Sequence, residues 1–324
     1  MTVSKPLPLL LKNVTGQASF STLVVLLVMV AINVYFQPDF FTPDVLESNL
    51  ATFTPLILIS MAQALVIIVG GIDLSVGATI ALLNVIMASL MKSDPGSVWL
   101  AVGAGFVVAV VVGLVNGTAF GVLRLPPMVS TFATSSIWFG LSLFIMPQPG
   151  GFVPDFYYRL YQQRLFGFLP APILVLGFAF LLWAVVKSRR LFRHFYAVGG
   201  NEESAQASGI ETARVKLWAL VLAAVFLSIA GLVVTAQTAS GDAHVGQAFT
   251  LTSIAAAVIG GASLRGGRGT LWGAAMGACV LGLLSNVIFF ANIPSIFQEF
   301  IKGLIIILAL GLGVWPSLRK AGSL

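Results

Sequence analysis

Charge is scarce in this chain. Asp, Glu, Lys and Arg make up 9% of its 324 residues, against roughly 25% in soluble globular domains, and apolar residues reach 58%. Mean hydropathy is +1.01. That balance argues against a soluble enzyme, a secreted disulfide scaffold and a receptor with a large extramembrane domain. Cysteine is nearly absent: Cys279, in an apolar stretch, has no partner for an internal disulfide and reads as packing. Histidine is as rare, and His194 and His244 fall in different loops without a ligand set around them, so no metal site is expected. The net charge of +6 invites a nucleic-acid reading. Membrane proteins, however, concentrate Lys and Arg in cytoplasmic loops, so the excess is a topology signal and no nucleic-acid partner is expected.

What is present is long apolar runs. Bounded by charges, Pro and Gly, they place spans at about 18–36, 50–69, 74–91, 97–117, 127–146, 171–186, 215–236, 250–264, 270–290 and 298–315. The expected fold is an all-α, polytopic transmembrane bundle of about ten helices. A cytoplasmic segment 1–17 precedes a transmembrane domain 18–315, and a tail 316–324 follows. The first run reads as a retained signal anchor. With the amino terminus inside, thirteen of the 17 bases fall on the inner side, which places both termini in the cytoplasm. Lys92, Arg159, Arg164 and Lys302 fall outside. The outer segment 37–49 carries Asp39, Asp44 and Glu47 with no base, and Arg159 and Arg164 read either as solvated loop charges or as exposed charges for a docking partner.

Small residues four apart form two ridges for close helix contact, Gly105, Ala109, Gly113, Gly117 and Gly121, and Gly269, Gly273 and Gly277. Two diglycines, Gly70-Gly71 and Gly260-Gly261, each end an apolar run on the inner side. With 33 glycines in the chain, their likeness is attributed to chance.

Three segments stand out. Gly70-Gly71-Ile72-Asp73-Leu74-Ser75-Val76-Gly77 puts a single charge into the 41 residues from Ala51 to Met91. An acid there is a functional candidate by default, but Asp73 sits where an N-cap belongs, at a break between helices. In the inner loop 187–216, Asn201, Glu202, Glu203, Ser204, Ala205, Gln206, Ala207, Ser208 and Gly209 carry the cap, acidic first turn and terminal glycine of a short helix. Two turns are marginal alone, so the helix is expected to be held by the bundle or by a partner. Arg265-Gly266-Gly267-Arg268-Gly269 lacks the Gly-Lys-Ser/Thr ending of a phosphate loop and reads as a tight basic turn. Polar residues inside the spans, Thr54, Ser60, Gln63, Thr79, Asn84, Thr131, Thr134, Ser135 and Asn286, either bond neighbouring helices or line a path, and the shortage of intramembrane charge suits a neutral, hydroxyl-rich solute.

These motifs resemble the membrane permeases of bacterial ATP-binding-cassette importers for sugars, of the ribose and xylose kind. The resemblance runs from about Asn49 to the end and rests on the Gly70 to Gly77 stretch, on Tyr196 to Glu203 followed by Ser208-Gly209-Ile210, and on Ser253 to Leu264 followed by Gly266-Gly267-Arg268-Gly269-Thr270. It implies a permease in the bacterial inner membrane that imports a neutral pentose, hexose or polyol. It also implies a second permease subunit, identical or paralogous, a cytoplasmic ATPase that holds ATP and Mg, and a periplasmic or lipoprotein sugar-binding protein. This chain would then hold no cofactor and no catalytic residue, and Asn201 to Ser208 would be the coupling helix seated in the ATPase. Two positions depart from the pattern: Ala207, where the family carries a larger aliphatic residue, and Phe139, where members often carry arginine. The rival readings are an importer permease for branched-chain amino acids or nucleosides, and an ion-coupled secondary transporter. The latter would need charges near the midplane, whereas Asp73 and Glu299 lie near span ends. A membrane-embedded enzyme lacks a cluster of His, Asp, Glu or Cys.

The charge bias yields a direct expectation. Single cysteines at Ser188 and Ser317 should label only from the cytoplasm, and one at Gly151 only from outside. Labelling of positions 188 and 151 from the same side would overturn the assignment.

Overall fold

The computed structural model describes residues 7–165 and 167–294 and six positions between 297 and 307, with side chains from residue 20 onward. Of the span expected at 298–315, residues 300, 301, 303, 304 and 307 are described, as helix, while residues 1–6 and the tail 316–324 lie outside the described residues.

The protein is all-α. Among the described residues, six helices are long and apolar enough to cross a membrane and three shorter ones are apolar. In chain order the helices are α1 (Leu7–Phe36), α2 (Pro43–Ile68), α3 (Val76–Leu90), α4 (Pro95–Gly117), α5 (Pro127–Ile145), α6 (Asp155–Gln162), α7 (Ala171–Ser188), α8 (Arg190–Gly200), α9 (Glu202–Ala207), α10 (Thr212–Thr238), α11 (Gln247–Ile259) and α12 (Leu271–Phe290). Helix α4 runs on into a π-turn at Thr118–Val122, and a hairpin pairs Arg164–Leu165 with Leu169–Pro170. Helices α6 and α8 fall outside the expected spans, because a search for continuous apolar runs passes over helices that are apolar on one face only.

Helix α10 packs along α2, α3 and α4, and α2 also packs on α11 and α12. The apolar windows of α2 and α10 are 83% and 67% buried, against 28% in α5 and 22% in α7, so the first pair forms the centre and the second the rim. The glycine ridges lie at close helix contacts. Gly113, Gly117 and Gly121 abut the backbone of α10, and Gly273 and Gly277 abut Gly260 and Ala256 at the end of α11.

Two of the expected spans are too short to cross. Helix α3 has 15 residues and α11 has 13. At 1.5 Å per residue these reach about 22 and 20 Å, short of a hydrocarbon core of about 30 Å. Each is preceded by a non-helical stretch, 69–75 after α2 and 239–246 after α10. The stretch 239–246 runs back along α3, with Asp242 N–H on Asn84 Oδ1 at 2.7 Å and Gly246 against the carbonyl of Gly77. The N-termini of the two short helices therefore meet inside the bundle, where Gly77 N–H donates to Thr250 Oγ1 at 3.2 Å. Helix α2, its break and α3 are matched by α10, its break and α11, and the second set runs in the opposite direction.

The diglycines have a local cause. After α2, Gly70 N–H bonds Ile67 O and Gly71 N–H bonds Val66 O; after α11, Gly261 N–H bonds Val258 O and Ala262 N–H bonds Ala257 O. Both are Schellman stops, with Gly70 at φ +91° and Gly261 at φ +90°.

Close approach at the central junction leaves no room for a side chain. A Cβ at Gly246 would overlap the Gly77 carbonyl, whereas one at Gly103 would meet open space. Gly246→Ala should therefore cost about 1–3 kcal/mol or more and lower the thermal midpoint in detergent, and Gly103→Ala should leave it in place. Equal midpoints for the two variants would contradict the junction.

Candidate functional site

The three segments singled out in the sequence come together at one end of the bundle, the end that carries α9. Gly267 N–H donates to Ile68 O at 2.9 Å, directly before the Gly70 break. Gly199, on α8, lies against the same Ile68 carbonyl, and Gly266 lies against Gly70 and Gly199. Tyr196 Oη donates to Gly269 O at 2.7 Å, and burial pushes its phenol up to about 12, so it stays protonated as that donor. Gly260, Gly261, Gly266, Gly267 and Gly269 thus shape a turn locked onto α2 and α8.

The break itself is held by a network reaching α2, α4 and α5. Asp73 is buried, and its Oδ1 accepts from Ser75 N–H at 2.7 Å and from Ser75 Oγ at 2.6 Å. Asn116 Nδ2 donates to Ser75 Oγ at 2.7 Å, and Thr134 Oγ donates to Asn116 Oδ1 at 2.7 Å. Thr131 Oγ accepts from Leu74 N–H at 3.0 Å. Gln63, its amide oriented by its partners, bonds Asp73 N–H and Asp73 O at 3.2 Å each. Asp73 stands two residues ahead of Ser75, the N-cap residue of α3, and reaches forward to that residue's N–H. Its carboxylate serves the backbone of the break. Asn116, the lone amide side chain in α4, escaped the sequence reading because one amide near the end of an apolar run carries no periodic signal.

Helix α9 projects from this end. Asn201 Oδ1 accepts from Ser204 N–H at 2.7 Å, and Gly209, at φ +80°, ends the helix with Ile210 N–H on Ala205 O at 3.1 Å. Glu203, Ser204, Gln206, Ala207 and Ser208 are exposed, while Ala205 is buried against the bundle. Glu202 is gripped by the buried Lys216 at the start of α10, with both carboxylate oxygens 2.6 Å from Nζ. The same ammonium lies 4.6 Å from the Phe120 ring centre. A groove of about 830 Å³ runs beside α9, lined by Phe120, Arg124, Asn201, Glu202, Gln206, Lys216 and Arg265 among others.

A second cavity, of about 440 Å³, opens where α3 and α11 meet. Its wall includes Gly77, Phe132, Ser135, Ser136, Phe139, Gln247 and Thr250, and Phe139 packs edge-on against the His244 ring at 5.5 Å. Of the nine polar residues considered for a path, Ser135 lines this cavity. Thr54, Ser60, Gln63, Thr79, Asn84, Thr131 and Thr134 are buried within the subunit. Thr54 and Thr79 bond backbone carbonyls of their own helix turn, and Asn84 Nδ2 donates to Thr235 Oγ at 3.1 Å and Ser240 O at 3.0 Å. Asn286 Nδ2 donates to Asn49 Oδ1 at 2.8 Å. Gln63, Asn84, Thr131, Thr134 and Asn286 thus tie segments of the bundle together, and the Ser60 hydroxyl is unbonded.

The outer-loop expectation is corrected for one residue. The hairpin carries Arg164 back to the start of α2, where it pairs with Asp44 and Glu47 at 2.7 Å each, the acidic segment that had no base of its own. Arg164 is therefore engaged within the chain, and Arg159 stays exposed.

Replacing Asp73 separates charge from geometry. Asp73→Asn keeps an oxygen for both Ser75 donors and should keep the thermal midpoint near that of the native protein. Asp73→Leu strands two buried donors at about 1–3 kcal/mol each and should lower the midpoint and the membrane yield. A stable Asp73→Leu protein would contradict the network.

Comparison with known proteins accords with this architecture. A family model described as the branched-chain amino acid transport system / permease component matches residues 45–310. Ribose import permease protein RbsC of Escherichia coli (strain K12) is 31% identical over 300 residues, 89% of this chain and 91% of that protein. RbsC of Bacillus subtilis (strain 168) is 32% identical over 293 residues, 90% of each chain. D-allose transport system permease protein AlsC of Escherichia coli (strain K12) is 31% identical over 297 residues, again 90% of each. No solved structure gives a significant match. With a matching model that covers the break, the α8–α9 segment and the Gly266 turn alike, the chain belongs to the branched-chain amino acid transport system / permease component family.

Proposed function

We propose that this chain is the membrane-spanning permease subunit of a binding-protein-dependent ATP-binding-cassette importer in the bacterial inner membrane, moving a neutral sugar into the cytoplasm. The observation that carries the reading is α9, a capped two-turn helix whose outer face is free and whose inner face is fixed to the bundle through Glu202 and Lys216. A rigid, anchored knob beside a groove suits the seat of a cytoplasmic ATPase, which would bind ATP and Mg. A second permease subunit and a periplasmic or lipoprotein binding protein complete the assembly, with both termini of this chain in the cytoplasm. Arg159 is an exposed base at the opposite end that suits an acidic patch on the binding protein.

The relatives' names, ribose and allose permeases, favour a sugar over a branched-chain amino acid. The cavity agrees, since Ser135, Ser136, Gln247 and Thr250 offer hydroxyl and amide partners beside two phenylalanine rings and no charged side chain lines it. An ion-coupled mechanism is disfavoured because Asp73 is committed to Ser75.

Ala205→Pro tests the coupling role. It removes the Ala205 N–H bond to Asn201 O, at 3.0 Å, and costs roughly 3 kcal/mol within α9. The bundle should still insert and purify, but ATPase co-purification or sugar uptake in proteoliposomes should be lost. Asn201→Ala should act more weakly, at about 1 kcal/mol. Normal ribose or allose uptake by Ala205→Pro would refute the coupling role, and uptake of leucine in place of either sugar would refute the substrate class.

A further inference from the structure

We propose that the α9 end of α7 is a binding site for an anionic phospholipid of the adjoining leaflet, with the acyl chain along α7 and the headgroup on Lys187, Arg189, Arg190 and Arg193. The proposal is independent of what the chain transports.

Helix α7 is a rim helix. Phe178, Leu181 and Val185 are exposed along it. From Phe178 to Lys187 is nine residues, about 13 Å of helix, close to half of a hydrocarbon core of about 30 Å. The helix thus presents one leaflet's depth of apolar surface ending in a base. Arg189 and Arg190 follow at once, and Arg193 comes one turn into α8, whose apolar residues Phe192, Phe195 and Val198 are buried against the bundle. All four bases are exposed, and none has an acidic partner among the described residues. Four unpaired cations within seven residues of a membrane-facing helix end attract anionic lipid.

An aromatic cluster marks the headgroup level. Phe180 of α7 stacks on Trp272 of α12 with ring centres 4.0 Å apart, and Trp183 meets Trp272 edge-on at 5.8 Å. Lys187 Nζ sits 4.8 Å from the Trp183 ring centre. Trp183 is buried, and its indole N–H has no acceptor among the described residues. Tryptophans at this level anchor proteins in the lipid interface. Trp272 is half exposed beside it, open to lipid. Charge, apolar length and the exposed Trp272 agree on a molecule with an acyl chain and an anionic head.

The test uses the full chain in mixed micelles with brominated phosphatidylglycerol or brominated phosphatidylcholine, reading the tryptophan quenching that is lost in Trp272→Phe. Phosphatidylglycerol should quench at a lower mole fraction than phosphatidylcholine. Changing Lys187, Arg189, Arg190 and Arg193 to Gln should weaken that preference by about fivefold per charge removed. Exchanging Lys and Arg among the same four positions should retain it, which keeps the test valid if the neutral variant inserts poorly. Equal quenching by the two lipids overturns the proposal. So does competition by glycerol phosphate as strong as that by the intact lipid, which would mark a free-anion site. A neutral variant that keeps its lipid preference but loses ATPase binding would also overturn it, because the face would then dock protein.

Discussion

An interrupted helix inside an apolar bundle has to satisfy its freed backbone groups without water. That constraint explains most of what surrounds the stretch from Ile68 to Gly77. Ile68 O takes Gly267 N–H, Leu74 N–H finds Thr131, Ser75 N–H finds Asp73, and Asp73's own backbone is met by Gln63. The partners come from α2, α5 and the turn before α12, so the geometry of the break depends on all three. Its polarity is a means of holding four segments in one geometry.

Much of this was legible beforehand. The apolar runs located nine of the helices, because a window of hydropathy is a sufficient signal when lipid is the solvent. The cap at Asn201 and the stop at Gly209 were readable from residue type, since both act within a turn of their own position. Proximity between distant segments was not readable. Nothing in the sequence places Gly267 beside Ile68, or turns Arg164 from a free outer charge into the partner of Asp44 and Glu47. That α3 and α11 begin inside the bundle was also hidden, because hydropathy marks an apolar run without giving the depth at which it starts.

The polar residues illustrate the same limit. Inside a bundle, a hydroxyl or amide is as useful for joining helices as for meeting a solute. Thr131 and Thr134 do the former, while Ser135, next to them on α5, faces the cavity. A shift of one residue along a helix rotates a side chain by about 100°, so neighbours of the same chemistry take opposite roles, and the choice depends on where the other helices lie.

Lys216 joins α9 to α10. Its ammonium holds Glu202 at the root of α9, and its backbone belongs to the first turn and a half of α10. Helix α10 is 27 residues long, about 40 Å, and its far end leads into the strand that bonds Asn84 and abuts Gly77. The Glu202–Lys216 pair therefore sits on one end of a rod held among α2, α3 and α4. The opposite end feeds the stretch whose Ala243 lines the cavity and whose Gly246 abuts Gly77, so the root of α9 and the cavity wall hang from one helix at opposite ends.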